Sequence, residues 1–167
     1  KRYFHADQYA NPANPLAHYA TTGPELWRQT RGRLTHFVAG MGTSGTMMGV
    51  GRYLRERSPA VRLVGVQPDR AEHGIQGLKY LAGDDVPAIY NPLGVDTIEE
   101  VQTEEATAMA RELARREGLF VGISAGAAVV AALRVARGLA QGLVVALLPD
   151  GTGGPSGVGA GVAAQGC

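Results

Sequence analysis

The feature that most constrains the fold is the stretch from Leu34 to Leu54. Leu34 to Ala39 is rich in β-branched and aromatic residues, and Met47, Val50, Tyr53 and Leu54 recur at helical spacing. A strand therefore feeds a helix through a glycine turn. Gly40, Gly42 and Gly45 let backbone approach a ligand closely, and the N–H groups of such a turn and of the first helical turn converge on one spot and favour negative charge. An anion, most simply a phosphate, is the expected guest. Tight strand-to-helix turns also collect glycines without any ligand, so the rest of the chain has to decide.

The chain extends this unit into an alternating pattern. The helix runs to about Arg57 and is stopped by Ser58-Pro59. Val61 to Val66 is nearly continuously apolar, as suits a strand buried on both faces of a parallel sheet. Pro68 to Pro92 has loop composition, with only Leu78 to Leu81 expected to be locally ordered; long loops inside α/β domains are often functional. Asp96 to Val101 predicts a strand. It leads to a helix with Thr103 as N-cap, Glu104 and Glu105 in its first turn and Gly118 at its end. After Leu119 to Ile123, Ser124 is expected to cap a nearly all-apolar helix to Arg137, with a second anion site conceivable there. Leu143 to Leu148 is the last strand. The expected architecture is α/β: a doubly wound, mostly parallel sheet with helices on both faces. Upstream, the Asn11-Pro12 and Asn14-Pro15 steps disfavour helix and precede two short helical pieces, the second starting at Pro24. His18 and Trp27 are expected to pack these pieces, and His36 and Phe37 to lie in or near the core.

Bulk properties narrow the partner. At 167 residues, 45% hydrophobic and 19% charged, the chain can bury a core of ordinary size. A net charge of +1 with no run of either sign gives no reason to propose nucleic acid or a membrane surface, and a small molecule is the better expectation. Cys167 is the single cysteine, so no intrachain disulfide is possible and a cytoplasmic location fits. No apolar run is long enough to span a bilayer, and no Cys/His cluster has metal-ligand spacing. Gly151 to Cys167 contains no aromatic or charged residue and is expected to be a disordered tail beyond a domain of residues 1–150.

Three guests compete for the glycine turn. Gly40, Gly42 and Gly45 match the dinucleotide fingerprint in spacing and context, although Gln67-Pro68 stands where an acid should hold the ribose. A mononucleotide P-loop is excluded because no lysine follows the last glycine. The third guest is a phosphate-bearing cofactor such as pyridoxal 5′-phosphate, to which Thr43, Ser44 and Thr46 offer hydroxyl donors.

Gly42-Thr43-Ser44-Gly45-Thr46 closely resembles the phosphate-binding loop of the cysteine synthase (O-acetylserine sulfhydrylase) and cystathionine β-synthase family of fold-type II pyridoxal-phosphate enzymes. Gln8 to Pro15, Thr22-Gly23-Pro24-Glu25, Gly74-Ile75-Gln76-Gly77, Gly122 to Gly126 and Leu148-Pro149-Asp150 look like further family motifs in the family's order. The resemblance spans Asp7 to Asp150. It implies an incomplete large domain of that fold, the C-terminal half, with pyridoxal 5′-phosphate as cofactor. It also implies β-replacement on an O-activated serine, O-acetylserine or O-phosphoserine, by sulfide or another sulfur donor. Homodimers are the family's implied assembly.

By position, the resemblance implies that Gly42, Thr43, Ser44, Gly45 and Thr46 bind the cofactor phosphate, that Gln8 binds the substrate carboxylate, and that Gly77 approaches cofactor and substrate. The position facing the pyridine nitrogen, commonly a hydroxyl residue, is Gly151 here, with Thr152 offering the nearest hydroxyl. The Schiff-base lysine has no counterpart: the chain has only Lys1 and Lys79, neither in the family's serine-x-lysine setting, and Lys79 is expected to be a solvated surface residue. No catalytic residue is therefore assigned within these residues. His73 is expected to be a plain loop histidine. The alternatives to a β-replacing enzyme are a non-catalytic fragment that at best binds phosphate, and an NAD-binding enzyme.

Overall fold

The computed structural model describes residues 3–82 and 86–151, together with the backbone of residues 162–165. Two short helices, α1 (Ala13–Ala20) and α2 (Thr22–Gln29), precede strand β1 (His36–Gly40), helix α3 (Gly45–Arg57) and strand β2 (Arg62–Pro68). A long loop then leads to strand β3 (Thr97–Val101), helix α4 (Thr103–Glu112), helix α5 (Ile123–Arg137) and strand β4 (Leu143–Ala146). A fifth strand, β5, spans Val162–Gln165.

The sheet order is β3-β2-β1-β4-β5. The first four strands are parallel and β5 is antiparallel to β4. Alternation along the central strands sorts the core into two layers. Phe37 and Leu63 pack with Met47, Val50 and Leu54 of α3 on one face, and Val38, Val64 and Val66 pack with Ala125, Ala128 and Val129 of α5 on the other. The chain moves from β1 to β2 and β3 in one direction and then returns to lay β4 on the other side of β1. That reversal makes the carboxyl ends of β1 and β4 the place where an α/β sheet opens a crevice.

Several local expectations are corrected. The second Asn-Pro step falls inside α1, because proline at a helix's first turn loses only an N–H that has no partner within the helix. The second helical piece begins at Thr22, two residues before Pro24, for the same reason. Thr103 is the first helical residue of α4 and Gln102 the cap, with the Glu105 carboxylate accepting the Gln102 N–H at 3.3 Å. The freed Thr103 hydroxyl instead accepts the Gly74 N–H at 3.0 Å and so tethers the long loop. Leu78 and Leu81 are buried without forming a regular element. The loop is fixed by Lys79 N–H to the Met41 carbonyl and by Leu81 N–H to the buried Gln67 side chain.

Part of the tail also departs from expectation, while residues 152–161, 166 and 167 lie outside the described residues. Residues 162–165 pair with all of β4, from Leu143 opposite Gln165 to Ala146 opposite Val162. An open sheet edge offers a full row of backbone donors and acceptors, so small residues suffice to add a strand.

Candidate functional site

A cavity of about 300 Å³ opens at the carboxyl ends of β1 and β4, lined by the turn from Gly42 to Thr46, by Gln76 and Gly77 of the long loop, and by Ser124, Pro149 and Asp150. The turn's shape follows from its composition. Ser44 sits in the left-handed region at φ 68°, a conformation that costs a residue with a Cβ about 1–2 kcal/mol, and α3 starts at the next residue. Gly42 lies so close to the Gly77 carbonyl that any Cβ would collide with it, and Gly45 lies closer still to the Asn14 side chain. Gly77 itself takes φ +87°.

The electrostatics of the turn suit an anion. The N–H groups of Gly42, Thr43 and Ser44 have no hydrogen-bond partner among the described residues, and the Gly45 N–H is turned onto the Thr43 hydroxyl at 3.3 Å. Ser44 is only 2% exposed, and its buried hydroxyl has no partner either. A buried hydroxyl in that state costs about 1–3 kcal/mol unless a ligand completes it. A phosphate fits these demands, since it accepts several donors at once and lies at the positive end of α3.

The opposite wall differs. The Ser124 hydroxyl donates to Asp150 Oδ2 at 2.7 Å, and the Asp150 carboxylate fills the space above Gly122 that a Cβ would occupy. Ser124 is thus inside the first turn of α5, with Gly122 as the cap, and the anion at that helix end is the chain's own. Gly151 follows in an isolated antiparallel bridge with Val121. Thr152 lies outside the described residues.

Of the other residues singled out in the sequence, Gln8 is exposed, and its carbonyl accepts the Asn14 amide at 2.8 Å. The Gln8 side chain is not among the groups lining the cavity. Lys79 is partly buried, with its ammonium 4.9 Å from the centre of the Tyr9 ring, rather than solvated. His73 accepts the Ile75 N–H within its own loop. Asn14 and His18 were not singled out as site residues, yet both reach the turn: Asn14 Nδ2 is 3.0 Å from Thr43 Oγ1, and His18 Nε2 is 3.3 Å from Thr46 Oγ1. Their spacing of one helical turn puts them on one face of α1, but nothing local says which element that face meets. Burial pushes the His18 imidazole below its ordinary pKa.

The family model for pyridoxal-phosphate dependent enzymes matches residues 1–150. The chain belongs to the pyridoxal-phosphate dependent enzyme family. Within that family it is 49% identical over 114 residues to cysteine synthase B of Salmonella typhimurium, covering 68% of this chain and 37% of that protein. It is 38% identical over 123 residues to cystathionine beta-synthase of Apis mellifera, covering 68% and 24%. Among solved structures, O-ureido-L-serine synthase superposes with a TM-score of 0.83 at 41% identity, covering 89% of this chain and 50% of that one. The cysteine synthase of Entamoeba histolytica gives 0.75 at 37% identity, covering 80% and 41%. The chain therefore spans little more than a third of the length of the cysteine synthase B it matches. The cofactor of this family is pyridoxal 5′-phosphate, and the dinucleotide reading is not favoured. Among the described residues no helix is long and apolar enough to cross a membrane, and no group of His, Cys, Asp and Glu could hold a metal.

Proposed function

We propose that the complete protein makes L-cysteine by β-replacement, taking an O-activated serine, O-acetylserine or O-phosphoserine, and sulfide or another sulfur donor. The observation that carries this reading is the turn from Gly42 to Thr46, whose buried Ser44 hydroxyl and N–H groups have no partner among the described residues and are of the kind a phosphate would complete. When bound, pyridoxal 5′-phosphate supplies an electron sink that lets the β-substituent of the amino acid leave.

In this reading the chain's own residues bind and orient. Gly42, Thr43, Ser44, Gly45 and Thr46 anchor the phosphate, and Gly77 brings the long loop against the cofactor. Gln8, on a segment tied to the turn through Asn14, takes the substrate carboxylate. Gly151 and Thr152 stand by the pyridine nitrogen. The lysine that carries the cofactor comes from sequence beyond these residues, and the complete protein works as a homodimer in the cytoplasm.

Complementation tests this. Combined with the part of Salmonella typhimurium cysteine synthase B that it does not match, the chain should produce cysteine from O-acetylserine and sulfide when pyridoxal 5′-phosphate is supplied. Alone, it should bind the cofactor and produce none. Cofactor binding without any activity in the complemented protein would reduce the chain to a phosphate-binding module.

A further inference from the structure

Helix α1 lies across the turn, and the contact is too close for a side chain at positions 45 and 49 of α3. A Cβ at Gly45 would collide with the Asn14 side chain, and one at Gly49 with the Pro15 carbonyl and, at 2.8 Å, with His18 Cβ. Asn14 and His18 stand four residues apart on that face and reach two different threonine hydroxyls of the turn. The question their geometry poses is where each hydroxyl proton goes. A threonine hydroxyl has one proton to donate and can accept two hydrogen bonds.

At Thr43 the answer is fixed by a neighbouring carbonyl. Asn14 Nδ2 lies 2.8 Å from the Gln8 carbonyl oxygen, which can only accept, so the amide cannot be turned over. The same Nδ2 therefore donates to Thr43 Oγ1 at 3.0 Å, and the Gly45 N–H donates to it at 3.3 Å. With both acceptor positions used, the Thr43 proton is left to point at a ligand.

At Thr46 the histidine tautomer decides. His18 Nδ1 is 3.0 Å from Thr22 Oγ1 of α2, and Nε2 is 3.3 Å from Thr46 Oγ1. A neutral imidazole donates from one nitrogen only. If Nδ1 carries the proton, the Thr46 hydroxyl donates to Nε2 and its proton is spent. If Nε2 carries it, Thr22 donates to Nδ1, Nε2–H donates to Thr46, and the Thr46 proton is free for an oxyanion.

We propose that α1 is a positioning clamp on the phosphate turn, in which Asn14 and His18, the latter as its Nε2–H tautomer, hold Thr43 and Thr46 as hydrogen-bond acceptors so that both hydroxyl protons are presented to the ligand's phosphate. The proposal rests on the turn being the phosphate site. It adds positioning residues that never touch the ligand.

The test compares pyridoxine 5′-phosphate with pyridoxine, which lack the aldehyde and form no adduct with amines. Dissociation constants for both, measured on the full chain, give a phosphate preference. The native chain should prefer the phosphate ester; equal binding of the two would overturn the phosphate site and the clamp with it. Given that preference, His18→Phe should reduce it roughly tenfold, about the loss of one hydrogen bond to a charged group. His18→Gln, which keeps a donor near the Nε2 position, should restore most of it. A His18→Phe chain that weakens both ligands equally, or neither, would overturn the clamp while leaving the phosphate site standing. Nitrogen-15 spectra of the native chain bound to pyridoxine 5′-phosphate provide a readout free of any variant: a proton on Nε2 of His18 is expected, and one on Nδ1 alone would overturn the proposal.

Discussion

The two helices that point their N-termini into the cavity make a natural comparison. Both helix starts present N–H groups with no partner among the described residues, but α3 adds a buried Ser44 hydroxyl with no partner, whereas at α5 the Ser124 hydroxyl donates to Asp150 Oδ2, with Oδ1 of that carboxylate buried and unpaired. Both ends carry the partial positive charge of a helix N-terminus. What separates them is whether the chain has supplied its own anion. Where a second anion site at Ser124 is conceivable from the sequence, the structure places the chain's own Asp150 carboxylate against the Ser124 hydroxyl. A helix terminus is therefore a binding site only where the fold leaves it unanswered.

The contrast can be broken most severely at Gly42. Gly42→Ala places a methyl against the Gly77 carbonyl, and overpacking of that kind costs roughly 1–3 kcal/mol, so pyridoxine 5′-phosphate titrations should show affinity falling by up to about a hundredfold. An unchanged dissociation constant would show that the approach of loop and turn does not shape the site. The second test acts on the other helix. Asp150→Asn removes the built-in anion from α5, and phosphorus NMR titration with inorganic phosphate should show binding strengthened about threefold, in line with a charge effect of about 0.3–1 kcal/mol at a helix terminus. If the two proteins bind phosphate alike, Asp150 is not what distinguishes the two helix ends.

Ser44→Gly sharpens the comparison because it should move two quantities in opposite directions. Relieving the left-handed φ should stabilise the chain by about 1 kcal/mol in urea titrations, while loss of the hydroxyl should weaken pyridoxine 5′-phosphate binding about fivefold. A drop in both would mean that Ser44 serves the fold and not the ligand.

The smallest expected effect concerns pH. Burial lowers the pKa of His18, and burial followed by the nearby Arg62 lowers that of His36. The unfolded chain then binds more protons than the folded one at these positions, so their contribution is fully present above the ordinary histidine value of about 6.5 and is lost as pH falls toward the lowered folded values. Thermal melts from pH 8 downward should show stability declining below that point, less steeply in His18→Gln. Identical slopes in the two proteins would assign the decline to His36 and other groups.

The strand-turn-helix unit, the alternation that builds the parallel sheet and the end of α3 at Ser58-Pro59 were legible because each depends on local periodicity or on a residue's backbone limits. Thr43, Ser44, Gly45 and Thr46 were legible as the turn between β1 and α3 for the same reason. Asn14 and His18 were not, since nothing local says that α1 crosses the turn at Gly45 and Gly49. Thr103 and Ser124 look like caps in sequence, but each hydroxyl was taken by a distant partner, the Gly74 N–H and the Asp150 carboxylate. Lys79 looked solvated until the Tyr9 ring was placed beneath it.

The sequence by itself determined that a strand feeds a helix through a turn able to take an anion, because hydrophobic period and glycine placement act over a few residues. Only the tertiary structure decided which helix end stays open, which hydroxyls α1 holds and that residues 162–165 join the edge of β4. Those outcomes depend on groups far apart in the chain meeting in space, and a hydrogen bond is settled by whichever partner the fold brings within reach.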